Sequence, residues 1–489
     1  MAEEIIPGSS ENETTPVVSS DPVKETRKYD RSIIEGPLSS AVWKIAWPTM
    51  LTNIIAGLQG IVDHVLVGNL VGYKANAAIG ISFQIFLVVI VFIASIFTGM
   101  NVLVARFAGA GDVEKVNSTV YQAFLTGVFI AIGVFAPVGY FISPYLLDLI
   151  SSDVAVKAEA LPFIRVTFLF SLGLMIYFMT SGALRSAGDA KTPMMLGIAM
   201  TILNLVLNII FISGFGPIPA FGTVGAAIGT SIATGIVGIY SIYKLVFGGW
   251  VISFPREKGW APDLEIIRSL FKFGLPTGFQ GIAMNIGGVL MMYFIGSLAQ
   301  SAEALAAYSV SYTQIFSLIT WTSVGLMGAA AAVAGQNLGA GNPERAAAAV
   351  NTAAKFGLLG SAILGTIFFI FPEQLLGIFG MTDPNAVAIG VELLRVLAVS
   401  GLFISTALTY TGGLQGTGDT KSPLFISVIS QLILPLAICF VLQQTIGLKT
   451  IHIWLAILAG HITRFVLSFV RFRQGRWQSI TVDIARKSG

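Results

Sequence analysis

Gly182-Ala-Leu-Arg-Ser-Ala-Gly-Asp-Ala-Lys-Thr-Pro193 returns as Gly412-Gly-Leu-Gln-Gly-Thr-Gly-Asp-Thr-Lys-Ser-Pro423, 230 residues further on. A glycine before Asp, then Thr or Ser and Pro, is the chemistry of one helix ending and another beginning. The stretch therefore reads as one loop used twice. Other fragments keep its register. Gly109-Ala-Gly-Asp112 recurs as Gly339-Ala-Gly-Asn342, Gln84-Ile-Phe86 as Gln314-Ile-Phe316 and Arg165-Val166 as Arg395-Val396, all shifted by 230. Pro48-Thr49 recurs as Pro276-Thr277, shifted by 228. Four matches in one register, with a fifth two residues from it, make an internal duplication.

What lies between these loops is apolar. Of 489 residues, 55% are hydrophobic and 11% charged, against about 25% charged in soluble domains. The mean hydropathy is +0.82. A single soluble core does not grow to this size, and the apolar residues come in long blocks, which is the signature of membrane spans. Lipid supplies no hydrogen-bond partners, so such blocks are helices. Spans are predicted at 42–70, 78–104, 116–141, 161–183, 194–213, 223–248, 268–297, 304–334, 346–371, 386–412, 423–446 and 450–470. The fold class is an all-α polytopic membrane protein, with twelve transmembrane helices in two six-helix bundles. Six spans per half start both halves on the same side, so a pseudo-two-fold axis along the membrane normal relates them.

The cations orient the chain. Twelve spans put both termini on one side, and 23 of the 28 Lys and Arg fall there, Arg464 among them; no Lys or Arg is placed mid-span. The opposite side keeps Lys74, Lys157, Arg165, Arg395 and Lys449. The termini are then cytoplasmic, in the plasma membrane of a bacterium or archaeon. The expected organisation is a disordered cytoplasmic tail (1–37), an N-terminal six-helix bundle (38–248), a cytoplasmic linker (249–267), a C-terminal six-helix bundle (268–472) and a cytoplasmic C-terminal tail (473–489). The sequon at Asn12 lies in the first tail and reads as chance. Residues 1–36 hold no apolar signal region, and the one cysteine, Cys439, excludes an internal disulfide.

Pro48-Thr-Met50 with Val62-Asp63 in the first span, the Gly109-Ala-Gly-Asp112 loop, Arg185-Ser-Ala-Gly-Asp189 and Gly225-Ala-Ala227 closely resemble the multidrug and toxic compound extrusion (MATE) family. The resemblance covers residues 40–470. It implies a V-shaped pair of bundles that exports organic, often cationic compounds, driven by inward flow of Na⁺ or H⁺.

Of the 25 acids, all but Asp63 fall in a tail, a loop or a span end. A carboxylate deep in a span costs roughly 2.5–3.5 kcal/mol on insertion scales, so Asp63 reads as a cation or proton site. The plainer alternative is a structural bond, or a pair with His64. Asn204 and Asn208, four residues apart, share one face of the fifth span. Two amide oxygens beside a carboxylate suit a hard cation such as Na⁺ at Asp63, Asn204 and Asn208, and equally suit a protonated acid. The alternative for the Asn pair is glue between helices. The resemblance is closest to the DinF-like branch, which uses a first-span Asp, a fifth-span Asn followed four residues later by Asp, and a sixth-span Thr. Asp63, Asn204 and Thr230 match it, and Asn208 departs from it. The resemblance also implies that Pro48 forms a helix kink coupled to protonation. In the second half, Gln280 and Asn285 are neutral where other branches place acids.

The expected function is a secondary active multidrug exporter, an antiporter expelling drugs or amphipathic cations in exchange for H⁺ or Na⁺. The alternative is a lipid-linked oligosaccharide flippase of the same superfamily. The chain carries no G-x-x-x-x-G-K-[ST], G-x-S-x-G or H-E-x-x-H motif, so neither ATP hydrolysis nor an intramembrane enzyme is expected. No cofactor is required beyond the coupling ion, and one chain suffices as a monomer.

Overall fold

The computed structural model describes residues 29–150, 154–255 and 261–482. The called sequon and the first 28 residues of the expected tail lie outside them, as do 483–489. The helices are α1 (Leu38–Leu70), α2 (Tyr73–Gly109), α3 (Val113–Asp148), α5 (Lys191–Ser213) and α6 (Thr223–Phe247) in the first half. The second half holds α7 (Leu264–Gly296), α8 (Ser301–Gly339), α9 (Pro343–Ile370), α10 (Pro384–Gly416), α11 (Lys421–Thr445) and α12 (Thr450–Arg473). Each of these eleven is long and apolar enough to cross a membrane. The fourth span, α4, is a pair, Val154–Leu169 and Leu172–Ser186, bent by 52°. Phe129, Phe141, Ile239, Phe247 and Tyr293 stand largely exposed. A soluble surface seldom carries so much apolar area, and lipid accepts it.

The repeated loops have repeated geometry. Gly188 and Gly418 have φ of 102° and 101°, and Gly111 and Gly341 have 75° and 79°. Side chains resist this region, so glycine ends each helix. Just beyond, Asp189 accepts from the Thr192 hydroxyl at 2.6 Å and Asp419 from that of Ser422 at 2.8 Å. The quoted stretch is a helix-stop, helix-start module.

Packing follows the duplication. Within the first half, α5 packs on α6 and α1 on α5; α11 on α12 and α7 on α11 repeat this in the second. Between halves, α1 packs on α8 and α2 on α7, contacts that a two-fold axis exchanges. The axis is visible in single atoms. A Cβ on Gly109 would lie 1.9 Å from the carbonyl of Gln336, and one on Gly339 would lie 2.1 Å from that of Arg106. Each pair is the other shifted by 230. Similar approaches join Gly99 to Leu270, Gly274 to Ser95 and Gly325 to Met50. Small residues let backbones touch where no hydrophobic force drives helices together. Gly60 and Gly288, towards the side away from the termini, meet nothing within 4 Å. The close backbone approaches between the halves gather on the side where the termini lie.

The described ends of the chain reinforce those contacts, unlike the disordered tails expected. Residues Ser32–Glu35 form a short helix with Ile33 buried. The Ile33 and Gly36 carbonyls accept from Arg345 at 3.4 and 2.5 Å, so a first-half segment is tied to the second half. Reciprocally, Trp477 is buried against Phe472, and the Ile480 carbonyl accepts from Arg106 at 2.5 Å. In the described part of the expected linker, Ile252 and Phe254 are buried on the first-half core, and α7 starts at Leu264 instead of 268.

Candidate functional site

Three helices of the first half bring the predicted cluster together. Asn208 Nδ2 of α5 donates to Asp63 Oδ1 of α1 at 2.9 Å and to Asn204 Oδ1 at 3.2 Å. Asn204 Nδ2 in turn donates to the Thr230 hydroxyl of α6 at 2.8 Å. Both asparagines are buried, at 1% exposure each. Their spacing of four places both amides on one helix face, as a buried polar pair requires. Gly229 makes room, since a Cβ there would lie 2.2 Å from Asn208 Oδ1. A turn below, the Thr201 hydroxyl donates to Gln59 Oε1 at 2.8 Å.

The Asn208 amide turns its N–H, not its oxygen, towards the carboxylate. In this orientation Asp63 is served by a hydrogen bond, and an ion seeking oxygen ligands would require Asn208 to turn over. Among the described residues no group of three His, Cys, Asp or Glu stands close enough to hold a metal ion.

Pro48 sits within the unbroken helix α1. Proline cannot donate to the carbonyl four residues before it. Around it Thr49, Thr52 and Asn53 side chains bond back to carbonyls four residues earlier, at 2.7, 2.8 and 3.0 Å. Such bonds favour bending. Beside them lies a small polar cavity of about 30 Å³, lined by Thr49, Thr52, Asn53, Ser181, Arg185 and Pro193. It has room for a water molecule.

The second half differs. Gln280 of α7 accepts from Gln415 of α10 at 3.0 Å and donates to Ser427 of α11 at 2.8 Å, a neutral network. Asn285 bonds back to the Gly281 carbonyl of its own helix. Sequence reasoning missed Arg464, which it counted with the terminal cations. Arg464 is 2% exposed and stands nine residues inside the end of α12, roughly 14 Å along the helix. The available signal was His461, Arg464 and Ser468 at spacings of three and four, a polar stripe on an apolar helix. Arg165 and Arg395 conform to a plainer role, each over an aromatic ring of the preceding helix, Tyr140 at 4.3 Å and Phe369 at 5.7 Å.

Comparison with known proteins agrees with this architecture. The MatE family model matches residues 48–210 and 276–441, once in each half. A relative in Thermotoga maritima, described as a probable multidrug resistance protein NorM, is 28% identical over 90% of this chain and 93% of its own. The probable multidrug resistance protein YpnP of Bacillus subtilis is 27% identical over 93% and 98%. Among solved structures, an outward-facing multidrug resistance MATE transporter of the MOP superfamily superposes with a TM-score of 0.85, at 21% identity, over 92% of this chain and 98% of that one. A MOP-superfamily transporter from Pyrococcus furiosus, described as having a binding pocket of reverse polarity, gives 0.84 at 21% identity, over 91% and 97%. With a family model covering both halves, and with relatives matched along nearly their whole length, this chain belongs to the MatE family of membrane transporters.

Proposed function

We propose that the protein is a multidrug exporter that expels organic, often cationic compounds in exchange for protons, with Asp63 as the coupling group. The Asp63–Asn208–Asn204–Thr230 chain carries the reading. It holds the one acid that the sequence places away from tails, loops and span ends, and it joins three helices of the first half. Export is supported by relatives such as the multidrug export protein MepA of Staphylococcus haemolyticus, 23% identical over 89% of this chain and 94% of its own.

Protons are favoured over Na⁺ by two features. Among the described residues one carboxylate serves the site, and the Asn208 N–H faces it. When Asp63 ionises it gains the full value of that bond, and when it takes a proton the bond weakens. Protonation therefore changes how firmly α1 is held to α5. Pro48, fifteen residues earlier, is where α1 can bend in response. In this reading the termini are cytoplasmic, the closed side faces the cytoplasm, and one chain acts as a monomer. A lipid-linked oligosaccharide flippase is the second reading, favoured only by the buried Arg464.

The test is efflux of ethidium by everted vesicles. Asp63→Asn is expected to lose pH-driven transport at normal expression. Wild-type rates in that variant would remove Asp63 from the mechanism.

A further inference from the structure

The second half holds a buried site of opposite charge to the carboxylate site of the first. Each lies beside a glycine in the last helix of its half. Gly229 lets α6 approach α5, and Gly460 lets α12 approach α11, where a Cβ would lie 2.5 Å from the Ser430 carbonyl. The residue after Gly229 is Thr230, a member of the Asp63 cluster. The residue after Gly460 is His461, one turn from Arg464.

The stripe of α12 facing the second-half core is short of acceptors. Trp454 Nε1, His461 Nδ1, Arg464 Nε and Ser468 Oγ are all buried without a hydrogen-bond partner. Their spacings of seven, three and four place them on one face. Among the described residues the only hydrogen-bond partner of the Arg464 guanidinium is the Met284 sulfur of α7, at 3.9 Å, and sulfur is a weak acceptor. Among the described residues no carboxylate forms an ion pair with Arg464; Asp419, for comparison, is engaged by Arg471 at 2.8 Å. A guanidinium keeps its charge in a protein, and a buried charge without a partner is strongly unfavourable.

The surroundings depart from their counterparts in the first half, although α3 of that half has a π-helical segment of its own at Phe129–Phe135. π-helical segments occupy Ser309–Ile315 of α8 and Val428–Ile433 of α11, whereas α2 and α5 are α-helical throughout. Such segments often accompany functional sites. The first π segment carries Tyr312, and the next residue, Phe316, stacks on His461 at 5.9 Å. Met284 is partly exposed, at 38%, so the guanidinium lies one side chain below the surface.

We propose that Arg464, with His461 and Ser468, forms an oxyanion-binding site in the second half, taking a carboxylate or phosphate group carried by a transported molecule. The protein then holds an acid-lined site in one half and a base-lined site in the other. A zwitterionic compound would engage both.

The test uses the full-length protein in nanodiscs at neutral pH and ¹⁹F line broadening of 4-fluorobenzoate, with neutral 4-fluorobenzamide as control. The wild type is expected to broaden the anion and not the amide. Arg464→Gln weakens anion binding by roughly tenfold or more, as loss of a charged hydrogen-bond partner predicts, and Arg464→Lys retains most of it. Equal behaviour of anion and amide in the wild type overturns the proposal, and this arm needs no variant to fold. Wild-type anion affinity in a folded Arg464→Gln variant, checked by its melting transition, overturns it as well. Phenyl phosphate and farnesyl phosphate then serve as competitors. Stronger displacement by the farnesyl compound assigns the site to a lipid phosphate, comparable displacement assigns it to soluble cargo, and displacement by neither overturns the oxyanion assignment. Since binding is read without transport, failure here leaves Asp63-coupled export standing, and the reverse holds.

Discussion

At the scale of single residues, the Asp63 cluster depends on atoms too close to tolerate additions. Gly229→Ala would put a methyl group 2.2 Å from Asn208 Oδ1. Overpacking of this kind costs about 1–3 kcal/mol. It is expected to turn the Asn208 amide away from Asp63 and to reduce efflux towards the level of Asp63→Asn. Gly235→Ala, on the same helix with nothing within 4 Å, should leave efflux and melting unchanged. Asn208→Asp supplies a second carboxylate beside the first. Two carboxylates with Asn204 would bind a hard cation better, so transport by this variant should become stimulated by Na⁺, measured in everted vesicles with and without the salt.

The same scale shows what sequence could and could not tell. Asp63 was legible because an acid in an apolar run is conspicuous, and Asn204 with Asn208 because a spacing of four defines a face. Arg464 was not legible as a buried charge. Lys and Arg near a helix end ordinarily reach the interface with their long stems, and one sequence does not show which way such a stem turns. The orientation of the Asn208 amide, which bears on proton against Na⁺, is likewise set by the three-dimensional network.

At the scale of elements, Pro48 is the weak point of α1. Pro48→Ala restores a backbone bond and stiffens the helix, so it should raise the melting temperature while slowing efflux. An unchanged rate would limit Pro48 to packing. The repeated loops make a second prediction. Gly188 and Gly418 have nearly the same φ, and a side chain at such a position costs about 1–2 kcal/mol. Gly188→Ala and Gly418→Ala should therefore destabilise by similar amounts, a symmetry that thermal melting can check.

The segment before α1 has its own dependence on pH. Burial pushes the Asp30 carboxyl up, but hydrogen bonds from Lys44 and Ser32 outweigh this and hold it below the usual carboxylate range. A group lowered in the folded chain adds stability above its ordinary value, and the contribution is lost as pH falls through the lowered one. The clasp should hold at neutral pH and loosen below about pH 4. Asp30→Asn should loosen it already at neutral pH, seen as faster proteolysis of residues 29–36. This packing escaped the sequence reading because a polar segment without apolar period looks like a tail. Ile33 alone marks it, and its pocket is built by distant residues.

At the scale of the molecule, the duplication was legible because loop chemistry repeats in register, and the axis it implies appears in the reciprocal contacts of Gly109 with Gln336 and Gly339 with Arg106. Which side closes was not legible, since it depends on how the halves meet. Gly109→Val and Gly339→Val should each part the closed side. A cysteine at Ala340, in a Cys439→Ala background, should then react faster with an impermeant maleimide from the termini side. The halves share a frame and differ in charge: Asp63 sits in the polar cluster of one, and Arg464 lies buried in the other.

The most direct test of the central claim is transport by purified protein in liposomes, with a pH gradient and then a Na⁺ gradient imposed alone. The account predicts ethidium movement driven by the pH gradient in the wild type, none under the Na⁺ gradient, and loss of the pH-driven component in Asp63→Asn. Transport driven by Na⁺ alone, or a pH-driven rate unchanged in Asp63→Asn, would contradict it.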